Sequence, residues 1–188
     1  MRARRTVLNL IAIAATVLLA GCYVTTQKLP ASTGPVMDAK LVGSWHALNE
    51  EGKPEDTFLH FISAGDNKPL ALVLIDSRNW SSYAFTSLLV GKRQMFAAKQ
   101  TGAMREKLEP NYILGFYEVK GDTIEFSLIN PDTMRDAIKA HQIKGRLDKG
   151  QSDKVILSAS PQELAAYFAN TDMAKLVMEH MSKAQRIK

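Results

Sequence analysis

Between residues 41 and 158 the chain is a succession of short runs in which apolar and polar residues alternate, interrupted at nearly regular intervals by turn residues. A period of two puts successive side chains on opposite faces of a strand, and Gly, Pro, Asn and Asp between runs supply the dihedrals a reversal needs. Runs over 41–48 and 57–63 are separated by Glu50-Glu51-Gly52-Lys53-Pro54, and a second turn at Gly65-Asp66-Asn67-Lys68-Pro69 leads into 70–75. That third run, Leu70-Ala71-Leu72-Val73-Leu74-Ile75, is apolar on both faces and suits a strand covered on each side. Further runs over 80–90, 93–99, 112–119 and 123–129 follow, then 143–147 and 154–158.

Two kinds of helix signal interrupt the strands. Asn130-Pro131 reads as an N-cap with proline in the first turn, opening a short inserted helix with Met134, Ala137, Ile138 and His141 on one stripe. Ser160-Pro161-Gln162-Glu163 is a capping box with proline at its first position, and Leu164, Tyr167 and Phe168 give that helix an apolar side. Met173, Leu176, Val177, His180 and Met181 then recur at helical spacing, which predicts a terminal amphipathic helix over 172–186. The expected fold is mainly β: an antiparallel meander of about eight to nine strands forming a barrel or strongly curved sheet, with a short inserted helix and a C-terminal helical segment.

The amino terminus has a different character. Arg2, Arg4 and Arg5 precede an apolar run over 7–19, and the run ends in Leu18-Leu19-Ala20-Gly21-Cys22. That run is too short for a comfortable membrane span, which needs about 20 apolar residues. Residues 1–22 resemble the lipoprotein signal peptides of bacteria, with Leu19-Ala20-Gly21-Cys22 matching their lipobox. The resemblance implies cleavage before Cys22, diacylglycerol on its thiol and a further acyl chain, palmitate or similar, on its new amino group. The covalent lipid on Cys22 is the only prosthetic group expected, and no cofactor is. Tyr23 rather than Asp after the lipid site implies the outer membrane, inner leaflet, facing the periplasm. Residues 1–21 would thus be lost, 22–40, punctuated by Pro30, Gly34 and Pro35, would form a lipidated flexible tether of about 20–25 Å reach, and 41–188 a single β-rich domain with C-terminal helices.

Cleavage changes what the charge means. The full chain carries 24 basic and 19 acidic residues, a formal net charge of +5, with a pI near 9.3. Removing three arginines leaves 21 against 19, so the basic pI belongs largely to the discarded segment and gives no reason to expect nucleic acid as a partner. Cys22 is the sole cysteine, so no disulfide can form within the domain.

Leu41-Val42-Gly43-Ser44-Trp45 on the first long strand resembles the Gly-x-Trp signature of lipocalins and their calycin relatives, in which the Trp plugs the closed end of the barrel. The second and third lipocalin signatures are not evident. The resemblance implies a cup for a small apolar or amphipathic molecule, with Trp45, His60, Trp80, Tyr83, Tyr112 and Phe116 as the candidate ligand-binding residues. By alternation Tyr112 and Phe116 share a face and Tyr117 points the other way.

Catalytic and metal constellations are missing. Gly-x-Ser-x-Gly does not occur, nor does either glycine-rich phosphate motif, and the carboxylates Glu50-Glu51 lie in a turn. His46, His60, His141 and His180 are dispersed without a ligand spacing. The chain is expected to be non-enzymatic, without catalytic or metal-binding residues. Two roles remain: a lipid-anchored binder of a small apolar molecule, or an accessory component of an envelope assembly that contacts a protein partner through the 100–110 loop or the terminal helix.

Overall fold

The structure is a computed structural model and describes residues 24–77, 79–101, 111–148, 154–178 and 182–188. In chain order its strands are β1 (Val24–Thr26), β2 (Gly43–Leu48), β3 (Pro54–Ile62), β4 (Leu70–Ile75), β5 (Trp80–Val90), β6 (Arg93–Thr101), β7 (Tyr112–Lys120), β8 (Thr123–Leu128), β9 (Gly145–Asp148), β10 (Lys154–Leu157) and β11 (Ser182–Arg186). The helices are α1 (Pro131–Lys139), α2 (Pro161–Asn170) and α3 (Met173–Leu176).

Seven consecutive strands, β2 to β8, pair with their sequence neighbours as an antiparallel meander. The eighth position is filled by β11, which pairs antiparallel with both β8 and β2 and closes the barrel. Closure removes the free edges an open sheet would leave for pairing with other chains. The mainly β barrel expected from the alternation, lipocalin-like by the resemblance at Gly43-Ser44-Trp45, is therefore what the chain forms, as a closed eight-stranded antiparallel barrel.

β7 is where the sheet branches. One edge pairs with β6 through Ile113 to Phe116; on the other edge Gly115 to Lys120 pair with β8, while Tyr112 and Ile113 pair with β1. β1 runs parallel to β10, which pairs with β9, so a small three-stranded flap leaves the barrel wall here. Val24, Val155 and Leu157 of the flap join Leu88, Val90, Met95, Leu114 and Phe116 of the barrel exterior in one apolar layer. Met134 and Ala137 of α1, Leu164 and Phe168 of α2 and Leu176 of α3 complete it.

The helix starts follow their sequence signals. Asn130 accepts from the Asp132 and Thr133 amides ahead of α1, and Ser160 and Glu163 exchange both bonds of the capping box at α2. At the tight turn between β5 and β6, Gly91 has φ +62°, a conformation that favours glycine.

The structure differs from expectation at both termini. Of the helix expected over 172–186, Met173–Leu176 alone is helical among the described residues; Val177 bridges to Ile129, and Ser182–Arg186 is a barrel strand. Ser-Lys-Ala-Gln-Arg carries a single apolar residue, Ala184, so its period of two is nearly silent; pairing partners on both edges override the helical preference. Residues 24–40, expected as a leash, run against the domain: Thr25 and Thr26 are buried, Ala31 and Thr33 donate to Pro161 and Leu89 carbonyls, and Val36 accepts from the Ser87 amide.

Candidate functional site

The barrel interior has a plugged end and an apolar half above it. Asp38 caps a single 3-10 turn, Ala39–Leu41, which lays Leu41 across the end where β2 begins. Trp45, fully buried, donates its indole N–H to the Leu41 carbonyl at 2.8 Å. From the far end of the sequence Arg186 stacks its guanidinium 4.1 Å from the Trp45 ring centre and donates to the carbonyls of Val42, at 2.8 Å, and Lys40. The plug is thus held by a cation–π contact and by hydrogen bonds to groups that would otherwise lack a partner at the turn.

A polar strut lies beside it. Tyr117 points into the barrel and donates to Asp38 at 3.1 Å, while the Asp38 amide donates to the Ser87 hydroxyl at 3.1 Å. Burial pushes the Tyr117 phenol well above its ordinary pKa, the Ser87 hydroxyl acting against this and the Asp38 charge adding to it, so Tyr117 is a fixed hydrogen-bond donor at any physiological pH.

Above the plug the interior is filled by rings. Phe85 contacts Phe61 edge-on at 5.1 Å between centres and stacks on Phe96 at 5.2 Å, and Phe126 meets Phe96 edge-on at 6.0 Å. Phe96 lies over Gly115, where a Cβ would come within 2.5 Å of the ring. Beyond this cluster the inward positions stay apolar but are less covered. Leu59, Leu74, Phe126 and Leu128 pack against the barrel core yet are only half-buried. By register Ser81 lies on the row of Leu74, and Gln100 opposite Tyr83. An apolar lining with two polar groups at its rim is the composition that small amphipathic molecules require.

The six candidate residues are not one site. Trp45 and Tyr83 are in the interior, Trp45 as part of the plug. His60 faces outward: it alternates with the inward Leu59 and Phe61, and its Nδ1 is 2.8 Å from the Ser44 hydroxyl. Trp80 is also outside, 68% exposed at the start of β5, in register with Ile75. Phe116 is buried in the layer between barrel and helices, with Tyr112 packed against its margin and the Lys99 ammonium 5.3 Å from the Tyr112 ring centre. The alternation on β7 was read in the correct phase, but the apolar layer on the outside takes the Tyr112 face and the barrel takes Tyr117. Sequence reasoning missed Arg186, Asp38 and the Leu74 to Leu128 lining; a lone arginine in a polar pentapeptide carries no signal of its partner.

The outward side of β2 to β5 carries an apolar strip at one end. His46 stacks on Phe58 at 4.5 Å, Phe58 is in register with Ile75 and Ile75 with Trp80. Ile62, 53% exposed, and Ile75, 40% exposed, extend the patch.

Among the described residues no three His, Cys, Asp or Glu side chains are grouped to hold a metal ion, and no helix is long and apolar enough to cross a membrane. Cys22, His180 and residues 102–110 lie outside the described residues. A closed eight-stranded barrel with a plugged end and an apolar interior half defines the class as lipocalin-like. No protein-family model matches the chain, and neither a curated protein nor a solved structure matches it significantly.

Proposed function

We propose that this chain is a non-enzymatic, lipid-anchored envelope lipoprotein that faces the periplasm and holds a small apolar or amphipathic molecule in the unplugged half of its barrel. The observation that carries the reading is the half-buried inward set Leu59, Leu74, Phe126 and Leu128 above a plugged end. Native mass spectrometry of the chain beginning at Tyr23, purified without detergent, tests it. A co-bound small molecule, or uptake of an apolar dye, is the expected result; a clean apo mass with no uptake would sink the ligand reading.

A second reading, an accessory component of an envelope assembly, is supported by the exposed Trp80, Ile75 and Ile62 face. Its contact would be that face in place of a terminal helix, since Ser182–Arg186 is committed to the barrel. Crosslinking in cells should then recover a partner that Trp80→Ser with Ile75→Ser releases. Unchanged partners in that double variant would remove its support.

A further inference from the structure

We infer that the lipid anchor holds the domain flush against the bilayer through the wall that carries β1 and β10, leaving the Trp80 face turned away from the membrane. The inference rests on the lipidation of Cys22 proposed above and follows from where the chain enters the fold. Only Tyr23 separates Cys22 from Val24, so the lipidated residue lies within about 7 Å of the Val24 Cα, at no more than 3.6 Å per residue. Val24 cannot be drawn out to lengthen that reach: it is 1% exposed, sits in the apolar layer, and is in register with Val155. A two-residue connection leaves no room for the domain to stand off or tumble. The bilayer must therefore be met by the surface around the start of β1, where Lys154 is the described residue beside Val155.

The strand order fixes what lies opposite. β1 hangs on β7, and around the closed barrel β3 is four strands from β7 in either direction, with β4 beside it. Of the exposed apolar strip, Phe58 lies on β3 and Ile75 beside it on β4, with Trp80 next to Ile75 at the start of β5. The strip therefore occupies the wall farthest from the anchor and is presented to the periplasm as the accessible face.

The full-length protein, matured in cells and reconstituted into vesicles containing brominated phospholipid, tests this. With the Cys22 thiol alkylated by its diacylglyceryl group, a fluorophore introduced through Lys154→Cys or, separately, Ile75→Cys labels a single site. Quenching by the brominated lipid at position 154 and its loss at 75 is the expected result. Trp80, the exposed one of the two tryptophans, should remain quenchable by aqueous iodide on vesicle binding. Inserting twelve Gly and Ser residues between Tyr23 and Val24 should erase the difference between the probes. Equal quenching at both sites, stronger quenching at 75, or iodide protection of Trp80, with lipid on Cys22 verified by intact mass, would overturn the orientation. An intact mass without lipid would overturn the anchorage reading and the orientation with it.

Discussion

Arg186 shows how much of this barrel rests on single side chains. It supplies the ring contact to Trp45 and two carbonyl partners at the plug, and it sits two residues from the end of the chain. Arg186→Ala should destabilise the domain by about 2 kcal/mol, the sum of a partly desolvated cation–π contact and lost charged hydrogen bonds. Arg186→Lys should recover only part of that, because an ammonium cannot stack and serve both carbonyls together. Urea denaturation followed by tryptophan emission measures both. Gly115 is the converse case, a position where nothing can be added. Gly115→Ala drives a methyl into the Phe96 ring and within 2.7 Å of the Ser127 carbonyl, and should cost about 1–3 kcal/mol, read in the same assay. The requirement there is space, since its backbone is not in the left-handed region.

Among the elements, α2 carries the clearest pH signature. Glu163 accepts from the Ser160 amide at 2.8 Å, and that bond, with the Ser160 hydroxyl and the Lys144 ammonium, draws its carboxyl down to about 2. Its folded pKa lies below its unfolded value near 4.5, so the capping contribution is present above about pH 4.5 and is lost as pH falls towards 2. Glu163→Gln should lower stability at pH 7 and change little near pH 2, flattening the profile between them, and thermal melts across pH 2–7 check this. Ser160→Ala removes the other half of the box and should cost about 1 kcal/mol at neutral pH. These helix starts were legible in the sequence because a cap is local: Asn130-Pro131 and Ser160-Pro161-Gln162-Glu163 contain all their own partners. The meander from β2 to β8 was legible for the same reason, since each strand pairs with its neighbour in sequence. What was hidden is non-local. The polar pentapeptide of β11 carries no strand signal, residues 24–40 form β1 and a partly exposed segment hydrogen-bonded across the domain in place of a leash, and four of the six candidate residues lie outside the interior. The strand at Ala184 depends on Ala47 and Ile124, and the one at Val24 on Val155, partners distant in sequence that no periodicity encodes.

At the scale of the whole molecule, two apolar layers share one wall. The strands β5, β6 and β7 are covered inside by the ring cluster and outside by α1, α2 and the flap, so most of the rigidity belongs to that side. The lining of the unplugged half, beyond the ring cluster, is where substitution should alter binding and spare stability. Leu74→Arg places a charge on the half-buried lining and should abolish uptake of an apolar dye while leaving the melting temperature within a few degrees. A dye titration paired with a thermal melt separates the two effects, and unchanged uptake would count against a ligand in that half.

Barrel closure by the final strand also sets a schedule for folding. Residues leave the ribosome from the amino terminus, and β2 is among the first strands made, yet its second edge is satisfied only by residues Lys183 to Arg186. β1 likewise waits for Val155 to Leu157. Until residues 182–186 are in place, β2 and β8 present unpaired edges next to a run as apolar as Leu70 to Ile75. Long-range pairing of this kind is slow and exposes aggregation-prone edges meanwhile. The unclosed barrel therefore carries two edges open to pairing with other chains, and a variant lacking residues 183–188 should aggregate on refolding where the intact barrel does not.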